Sequence, residues 1–598
     1  MTAPLVLTAV DSHISYSGGE LTAAIDVLPS DWSLKGNIAT LALPAGATDV
    51  GRLDSVAHLQ LLVEVGRVWK PMHLARWPNI PFDRPDAEVP PVNWTTVGSV
   101  SSNCSNDAMQ CNSFGFGPDT HAGFLGIDRP LRWVTAAKEG RLFLQGFFKY
   151  LWRDGRAQIN KVDVAQQLLV TDAPTISASG VFPSSPYFAY GNLHEELDVP
   201  GEYATDNRTG FLSAILPRMC VSGRAVVCRT RLVPAASGNL VTVTGANSIS
   251  LSGVNITGSA GVGVVVLGSS NVKMDRCKFN ALQTGVTVST SSDVSLTHSE
   301  VGWTLMSSTS WSGGNRTTLT SARLLVSDSI FHDFGTWQYT YQAGVHVDGV
   351  GVIVRKNLFY ASYHVALLFS GNEHMFELNE MRNVATIGYD TGAVYAGRDL
   401  SSRGTVIRWN FFHHMDNPSR CNEETSCIRQ AIYIDDFEGG VNMTGNIFFR
   451  VPTGFFSNCG GDFIFANNLY VSVGVTVRQS GRSGDTFGSV AQTLWDQLHE
   501  VPFTGAVWVE HYPELALRFK DWNNGTSPPP NGASGPLNNL FELNAAVNIT
   551  GTTPVPGEGP PSRFQDWTAN AAGMFSLEAS FYTPHLLPGR TAKYCELQ

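Results

Sequence analysis

Between about residue 240 and residue 475 the chain alternates apolar and polar positions in short runs, each broken by Gly, Asn, Asp or Ser. A small motif recurs within this stretch: Val254-Asn-Ile, Cys277-Lys-Phe, Ser299-Glu-Val, Ser329-Ile-Phe, Asn357-Leu-Phe, Asn379-Glu-Met, Asn410-Phe-Phe, Asn446-Ile-Phe and Asn468-Leu-Tyr. Several gaps between copies are 22 or 23 residues, and the others run up to 36. Period-two alternation over a few β-branched residues predicts strands, and a repeat near 22 residues predicts one coil of a parallel β-helix, which buries its inner face only by stacking on the next coil. The longer gaps read as loops inserted into single coils. The recurrent Asn is expected in the left-handed position of a tight turn, stacked on its copy in the neighbouring coil.

Each coil offers a second strand: Gly285-Val-Thr-Val, Gly344-Val-His-Val-Asp, Val365-Ala-Leu-Leu-Phe, Gly392-Ala-Val-Tyr-Ala-Gly, Ala431-Ile-Tyr-Ile-Asp and Gly454-Phe-Phe. If Val345, Val347, Val394, Ala396, Ile432 and Ile434 point inward, alternation turns His346, Asp348, Tyr395, Tyr433 and Asp435 outward onto one face. Two tyrosines in register serve equally well as a packing ladder.

The flanks differ. Residues 1–175 alternate between Gly/Pro turns and read as a β-rich N-terminal region packing on the solenoid, with 176–235 as connector and first coil and 236–480 as the helix core that carries the candidate site. Within 481–535, Val490-Ala-Gln-Thr-Leu-Trp-Asp-Gln-Leu and Tyr512-Pro-Glu-Leu-Ala-Leu-Arg-Phe predict short amphipathic helices, and Ser527-Pro-Pro-Pro-Asn-Gly predicts a loop. Residues 536–598 read as a small C-terminal β segment that caps or extends the solenoid. The fold class is therefore all-β.

Composition agrees: of 598 residues, 43% are apolar and 15% charged, enough for a large core, while 58 glycines and 31 prolines favour turns over long helices. A net charge of −11 without a Lys/Arg run argues against a nucleic-acid partner. No run approaches the roughly 20 apolar residues of a membrane span, and the first residues lack the basic, apolar pattern of a secretory leader. Cys104/Cys111, Cys220/Cys228 and Cys421/Cys427 are spaced to close short loops in an oxidising compartment. Sequons stand at Asn93, Asn103, Asn207, Asn255, Asn315, Asn442, Asn524 and Asn548. Together these signs favour a secreted or extracellular protein. Oligomeric state is not legible.

Five strings carry a resemblance: His73-Leu-Ala-Arg-Trp-Pro-Asn79, Asn192-Leu-His-Glu-Glu-Leu-Asp-Val-Pro-Gly-Glu-Tyr203, Gly371-Asn-Glu-His-Met-Phe-Glu-Leu-Asn379, Asp390-Thr-Gly-Ala-Val-Tyr-Ala-Gly-Arg-Asp399 and Ala431-Ile-Tyr-Ile-Asp-Asp436. In order and spacing, from about 70 to 470, the chain resembles carbohydrate-active right-handed parallel β-helix proteins, glycoside hydrolase family 141 and the related right-handed β-helix region proteins among them. The resemblance implies a glycan or carbohydrate polymer as partner and a pair of catalytic aspartates drawn from the Asp390…Asp399 and Asp435-Asp436 segments. Two departures stand out: the long connection Asn417–Cys427, which would reshape the cleft wall, and Tyr203-Ala-Thr-Asp206, where the aromatic end of the motif is weakened.

Cleavage of a glycosidic bond calls for one protonated carboxyl and one carboxylate, roughly 5–9.5 Å apart. Coils about 4.8 Å apart bring aspartates one or two coils from each other into that range. The catalytic candidates are thus Asp390, Asp399, Asp435 and Asp436; Asp399 shares a strand end with Asp436, whereas Asp390 must reach back from a turn. Arg398, Tyr395, Tyr433, His346, Asp348 and His364 are substrate-binding candidates, Arg398 equally as an ion pair with Asp399 or Asp436. His374, His413 and His414 offer hydrogen bonds to sugar or to their own turns, and Glu195, Glu196, Asp198 and Glu202 read as a rigid turn. No cofactor is implied, although the acidic set would accept Ca²⁺. A lyase or epimerase acting on uronic-acid polymers is the alternative, disfavoured by few lysines in the coils. A non-catalytic glycan-binding or surface protein would leave paired aspartates without a task. Gly-x-Ser-x-Gly, His-Glu-x-x-His, P-loop and dinucleotide motifs are absent from the sequence.

Overall fold

The computed structural model describes residues 4–549 except 49–50, 52, 54, 84–88, 91–92, 101–112, 117–128, 151, 172–180, 182–184, 207, 389, 416–428, 481–483, 523–524 and 526–537, together with the backbone of Arg563–Gln565 and Thr568–Ala569. The pairs Cys104/Cys111 and Cys421/Cys427, the sequons at Asn103, Asn207 and Asn524, the long 417–427 connection and the Pro-rich 527–532 loop lie outside the described residues.

The chain from Val241 onward winds into a parallel β-helix. A typical coil contributes three strands, such as Met375–Glu377, Glu380–Arg382 and Thr391–Gly397. The first of these joins one parallel sheet, and the other two join a second that bends around the remaining sides. Val345, Val347, Val394, Ala396, Ile432 and Ile434 all point into one continuous core. Inside it, like residues lie directly over one another: Phe412 stacks on Phe448 at 5.1 Å and Phe448 on Tyr470 at 4.8 Å, close to the distance between paired strands.

The recurrent motif marks a turn held by a side-chain ladder. Asn357, Asn379, Asn410, Asn446, Asn468 and Asn544 pass amide hydrogen bonds from coil to coil at 2.9–3.1 Å. Each also donates to a backbone carbonyl of the strand beside it, so the buried amides are satisfied. Upstream, Ser329, Ser299 and Cys277 continue the column. The left-handed residue is the one before each ladder position, not the Asn itself: Lys356, Leu378, Trp409, Asn467 and Leu543 have φ between 53° and 57°. The Asn is needed for its two-sided amide rather than for its backbone tolerance.

The first coil corrects the sequence reading. It comes not from 176–235 but from the start of the chain: Leu5–Leu7, Ser15–Ser17 and Glu20–Thr22 pair in parallel with Val241–Val243, Ser250–Ser252 and Asn255–Thr257. The chain then leaves the solenoid, builds four sheets between Ile25 and Val233 among the described residues, antiparallel except where His73–Leu74 pairs in parallel with Glu202–Tyr203, and returns. Glu195, Glu196 and Asp198 are tied to Arg141 and Arg129 there, and Glu202 accepts backbone N–H bonds from Arg76, Asp198 and Val199, which makes that acidic turn structural. Cys220 and Cys228 form a disulfide, and Cys277 and Cys459 are buried thiols. The insertion docks on the solenoid through Phe82, Phe188 and Tyr203 against Leu305, Trp337, Tyr339 and Tyr363.

A second insertion supplies the helices α1 (Gly484–His499), α2 (Ala506–His511) and α3 (Pro513–Phe519). Their apolar faces pack on Leu319, Leu400, Phe437 and Cys459, and Arg518 pairs with Asp462 at 2.6 Å. The chain then resumes the solenoid, where Leu540–Glu542 and Ala545–Val547 extend both sheets. No helix among the described residues is long and apolar enough to cross a membrane.

Candidate functional site

Five strands stack to form the face that carries most of the candidates: β1 (Val345–Gly349), β2 (Leu367–Phe369), β3 (Thr391–Gly397), β4 (Arg429–Asp435) and β5 (Thr453–Asn458). Register places His346, Leu368, Tyr395, Tyr433 and Phe456 in one outward column. In the next column Gly397 lies opposite Asp435, where a Cβ in place of its hydrogen would come within 3.1 Å of the Asp435 Cβ.

At the centre two phenols each hold a carboxylate. Tyr395 donates to Asp435 Oδ2 at 2.9 Å, and Tyr433 donates to Asp390 Oδ1 at 2.7 Å. Asp390 sits in the turn before β3 with φ +55° and reaches across to β4. Asp435 Oδ1 accepts from Asn458 Nδ2 at 2.8 Å and from the Asp436 backbone N–H at 2.7 Å. Asp436 is buried and pairs with Arg398 Nε at 2.7 Å, while Arg398 itself is 57% exposed. Asp435 is only 6% exposed. Burial, then the charges of Asp436 and Asp390, push its carboxyl above the usual range against the opposing bonds from Asn458 and Tyr395. Burial and the adjacent carboxylates likewise push the Tyr395 and Tyr433 phenols up.

The other candidates fall elsewhere. Asp399 turns away from this centre and pairs with Arg316 at 3.0 Å, with Ser401 N–H at 2.9 Å and with the Ser401 hydroxyl. Asp348 accepts from Ser370 at 2.9 Å and Ser312 at 3.3 Å; it lies three coils before Asp435, about 14 Å along the stack, beyond the reach of a carboxyl pair. His346 is half-buried on β1, and burial lowers its pKa. His364 accepts the Tyr341 N–H at Nδ1, 3.0 Å, and its buried Nε2 has no hydrogen-bond partner among the described residues; burial pushes its pKa down to about 3, so the ring is neutral. His374 bonds Val352 N–H and Ser370 O. His413 meets Glu380 and His414 on another side of the solenoid.

Two members of the centre escaped sequence reasoning. Asn458 follows the Gly454-Phe-Phe string at an outward position one coil beyond Asp435, so strand parity would have found it. Tyr341 lies in the loop between Ile330–His332 and Val345–Gly349 of a single coil, 6.0 Å from Tyr395 ring to ring, and no periodic signal marks it. Burial and Asp435 push its phenol up to about 12.

Two half-open pockets among the described residues lie apart from these carboxylates. A cavity of about 120 Å³ between the N-terminal insertion and the solenoid is lined largely by Met72, Phe82, Trp337 and Tyr363. One of about 350 Å³ near Trp69 is ringed by charges that pair among themselves, Arg231 with Glu20 and Lys278 with Glu300. No group of three or more His, Cys, Asp or Glu side chains converges as a metal site among the described residues.

No protein-family model matches the chain, and no curated protein matches it in sequence. Among solved structures, one described as a glycoside hydrolase superposes with a TM-score of 0.58 at 13% identity, over 78% of this chain and 87% of that one. The catalytic domain of a GH87 alpha-1,3-glucanase gives 0.27 at 7% identity, over 89% of each chain. PfbA, a surface adhesin of Streptococcus pneumoniae, gives 0.30 at 10% identity, over 55% of this chain and 74% of that one. The first likeness is one of fold alone; the other two overlap too loosely to carry an argument.

Proposed function

We propose that the protein hydrolyses glycosidic bonds of a glycan laid across β1–β5, with Asp435 as general acid and Asp390 as its partner carboxylate. The observation that carries this reading is the burial of Asp435, 6% exposed, beside Asp436 and Asp390, a setting that pushes its carboxyl above the usual range. Such a group retains a proton to give to a leaving oxygen. Oδ1 already accepts two N–H bonds, so the proton belongs on Oδ2, the oxygen that Tyr395 also contacts. Asp390, half-exposed and oriented by Tyr433, then attacks the anomeric carbon or activates water. Asp436 acts through Asp435 by its charge and is a positioning residue. A β-elimination would need a base beside a uronate; the Tyr395 and Tyr433 phenols, pushed up by burial, are poor bases near neutrality. The Cys220–Cys228 disulfide favours an oxidising, extracellular compartment as the place of action.

The test is incubation of the purified protein with neutral and uronic polysaccharides, following reducing ends and 235-nm absorbance together. New reducing ends without absorbance, lost in Asp435→Asn and Asp390→Asn, are expected. Rising absorbance, or activity within a few-fold of the parent in both variants, overturns the assignment.

A further inference from the structure

The N-terminal insertion approaches the candidate site through Trp152, which meets Tyr341. Its hairpin turn carries Tyr150 and Trp152, whose rings stack at 4.9 Å and 20°. Trp152 meets Tyr341 edge-on at 6.4 Å, and Tyr341 in turn meets Tyr395, the donor to Asp435. Tyr341 is 37% exposed and Tyr150 and Trp152 are half-buried. Large rings left partly open to water cost hydrophobic burial unless something covers them.

Their position is fixed by a buried carboxylate. Asp154 Oδ1 accepts from Gln338 Nε2 at 2.6 Å, from the Thr340 N–H at 3.1 Å and from the Thr340 hydroxyl, while Oδ2 accepts from Gln145 Nε2 at 2.8 Å and the Tyr339 N–H at 3.3 Å. Arg156 adds a bond to Gln338 at 2.9 Å and lies over Trp337 at 4.4 Å. The turn is therefore bolted to the solenoid loop that bears Tyr341, two parts of the chain far apart in sequence.

From this geometry we infer that Tyr150, Trp152 and Tyr341 form a remote sugar-binding subsite, in which a pyranose of the glycan stacks its C–H face on an aromatic ring. The path from Trp152 through Tyr341 to Tyr395 is longer than one pyranose, so the subsite engages a residue beyond the bond at Asp435 and selects chains over single sugars. This deepens the reading of Asp435 and Asp390 as the point of cleavage and depends on it for direction.

The test measures binding and cleavage separately. Titration calorimetry with cellohexaose, xylohexaose and hexagalacturonate, and with the corresponding methyl monosaccharides, is run on the parent, Trp152→Ala, Trp152→Phe, Asp154→Asn and Asp435→Asn. One hexamer at least is expected to bind the parent and to bind Trp152→Ala about three- to tenfold more weakly, the size of one ring contact. Trp152→Phe should recover most of the loss, Asp154→Asn should reproduce it in part, and any monosaccharide binding should be unchanged. Unaltered hexamer affinity in Trp152→Ala, an equal loss for monosaccharides, or no hexamer bound by the parent overturns the subsite. Asp435→Asn separates the two claims: retained binding with lost cleavage supports both, whereas retained cleavage sinks the acid assignment and leaves the Trp152 result to stand or fall alone.

Discussion

Tyr433 on β4 donates its phenolic hydrogen at 2.7 Å to Asp390, a residue outside the strands in the turn that leads into β3 of the preceding coil. The bond ties a turn side chain to a rigid sheet and so fixes the carboxylate that period-two geometry alone would leave unplaced. Tyr433→Phe should lower kcat about ten- to a hundredfold, in line with the ~1.5–3 kcal/mol of a hydrogen bond to a charged group, with KM little changed. Steady-state rates on whichever glycan the screen identifies are the check; an unaltered kcat would remove Asp390 from the mechanism.

If Asp435 is the acid, as proposed, Asp435→Asn should reduce kcat about 10²–10⁴-fold. The parent should lose kcat/KM as pH rises through the raised pKa of Asp435, because the donor proton is then gone. That alkaline limb should disappear in the residual activity of the variant, which a pH–rate profile reads directly.

Stability should carry the same signature. The folded-state pKa of Asp435 is raised above its unfolded value, so between the two the native state holds a proton that the unfolded chain has released, and stability falls as pH rises from about 4 through the raised value. Asp435→Asn removes that loss while its amide oxygen still accepts from Asn458. The variant should therefore gain on the parent as pH rises from about 4, by about 1.4 kcal/mol per pH unit until the raised pKa is passed. Thermal midpoints across that range would show it; a constant difference would mean the carboxyl is not perturbed.

The ladder can be probed at Asn410, which accepts from Asn379 and donates to Asn446. Asn410→Ala strands buried amide groups on both sides and should cost about 2–4 kcal/mol. Asn410→Ser should cost less, since Ser299 and Ser329 occupy the same column upstream. Denaturant midpoints of the two variants give the comparison.

What the sequence disclosed was whatever repeats with the coil. The Asn column, the inward valines and isoleucines, and the outward Tyr395, Tyr433 and Asp435 all obey a period of two within a period near 22, so local geometry sufficed. Asp399 obeys neither: it follows Arg398, whose φ of +71° ends the strand, and Arg316 on an earlier coil captures it. Trp152 and Tyr341 meet only because Asp154 finds the 338–340 loop, a tertiary contact without a periodic trace. The first coil was illegible for a similar reason. Its strands at Leu5–Thr22 are too short to signal a repeat, and their continuation comes only after a departure of about two hundred residues.

That departure has a kinetic consequence. Joining Leu5–Thr22 to Val241–Thr257 closes a loop whose entropy cost is about 5 kcal/mol, so the terminal coil is reimbursed only once the intervening sheets have folded and drawn its ends together. Nucleation should begin among the sequence-local coils downstream of Val241, where each contact spans few residues. The N-terminal coil should dock last. Until it does, the strand at Val241–Thr244 presents an open edge, and nascent molecules should be most prone to associate end to end during that interval.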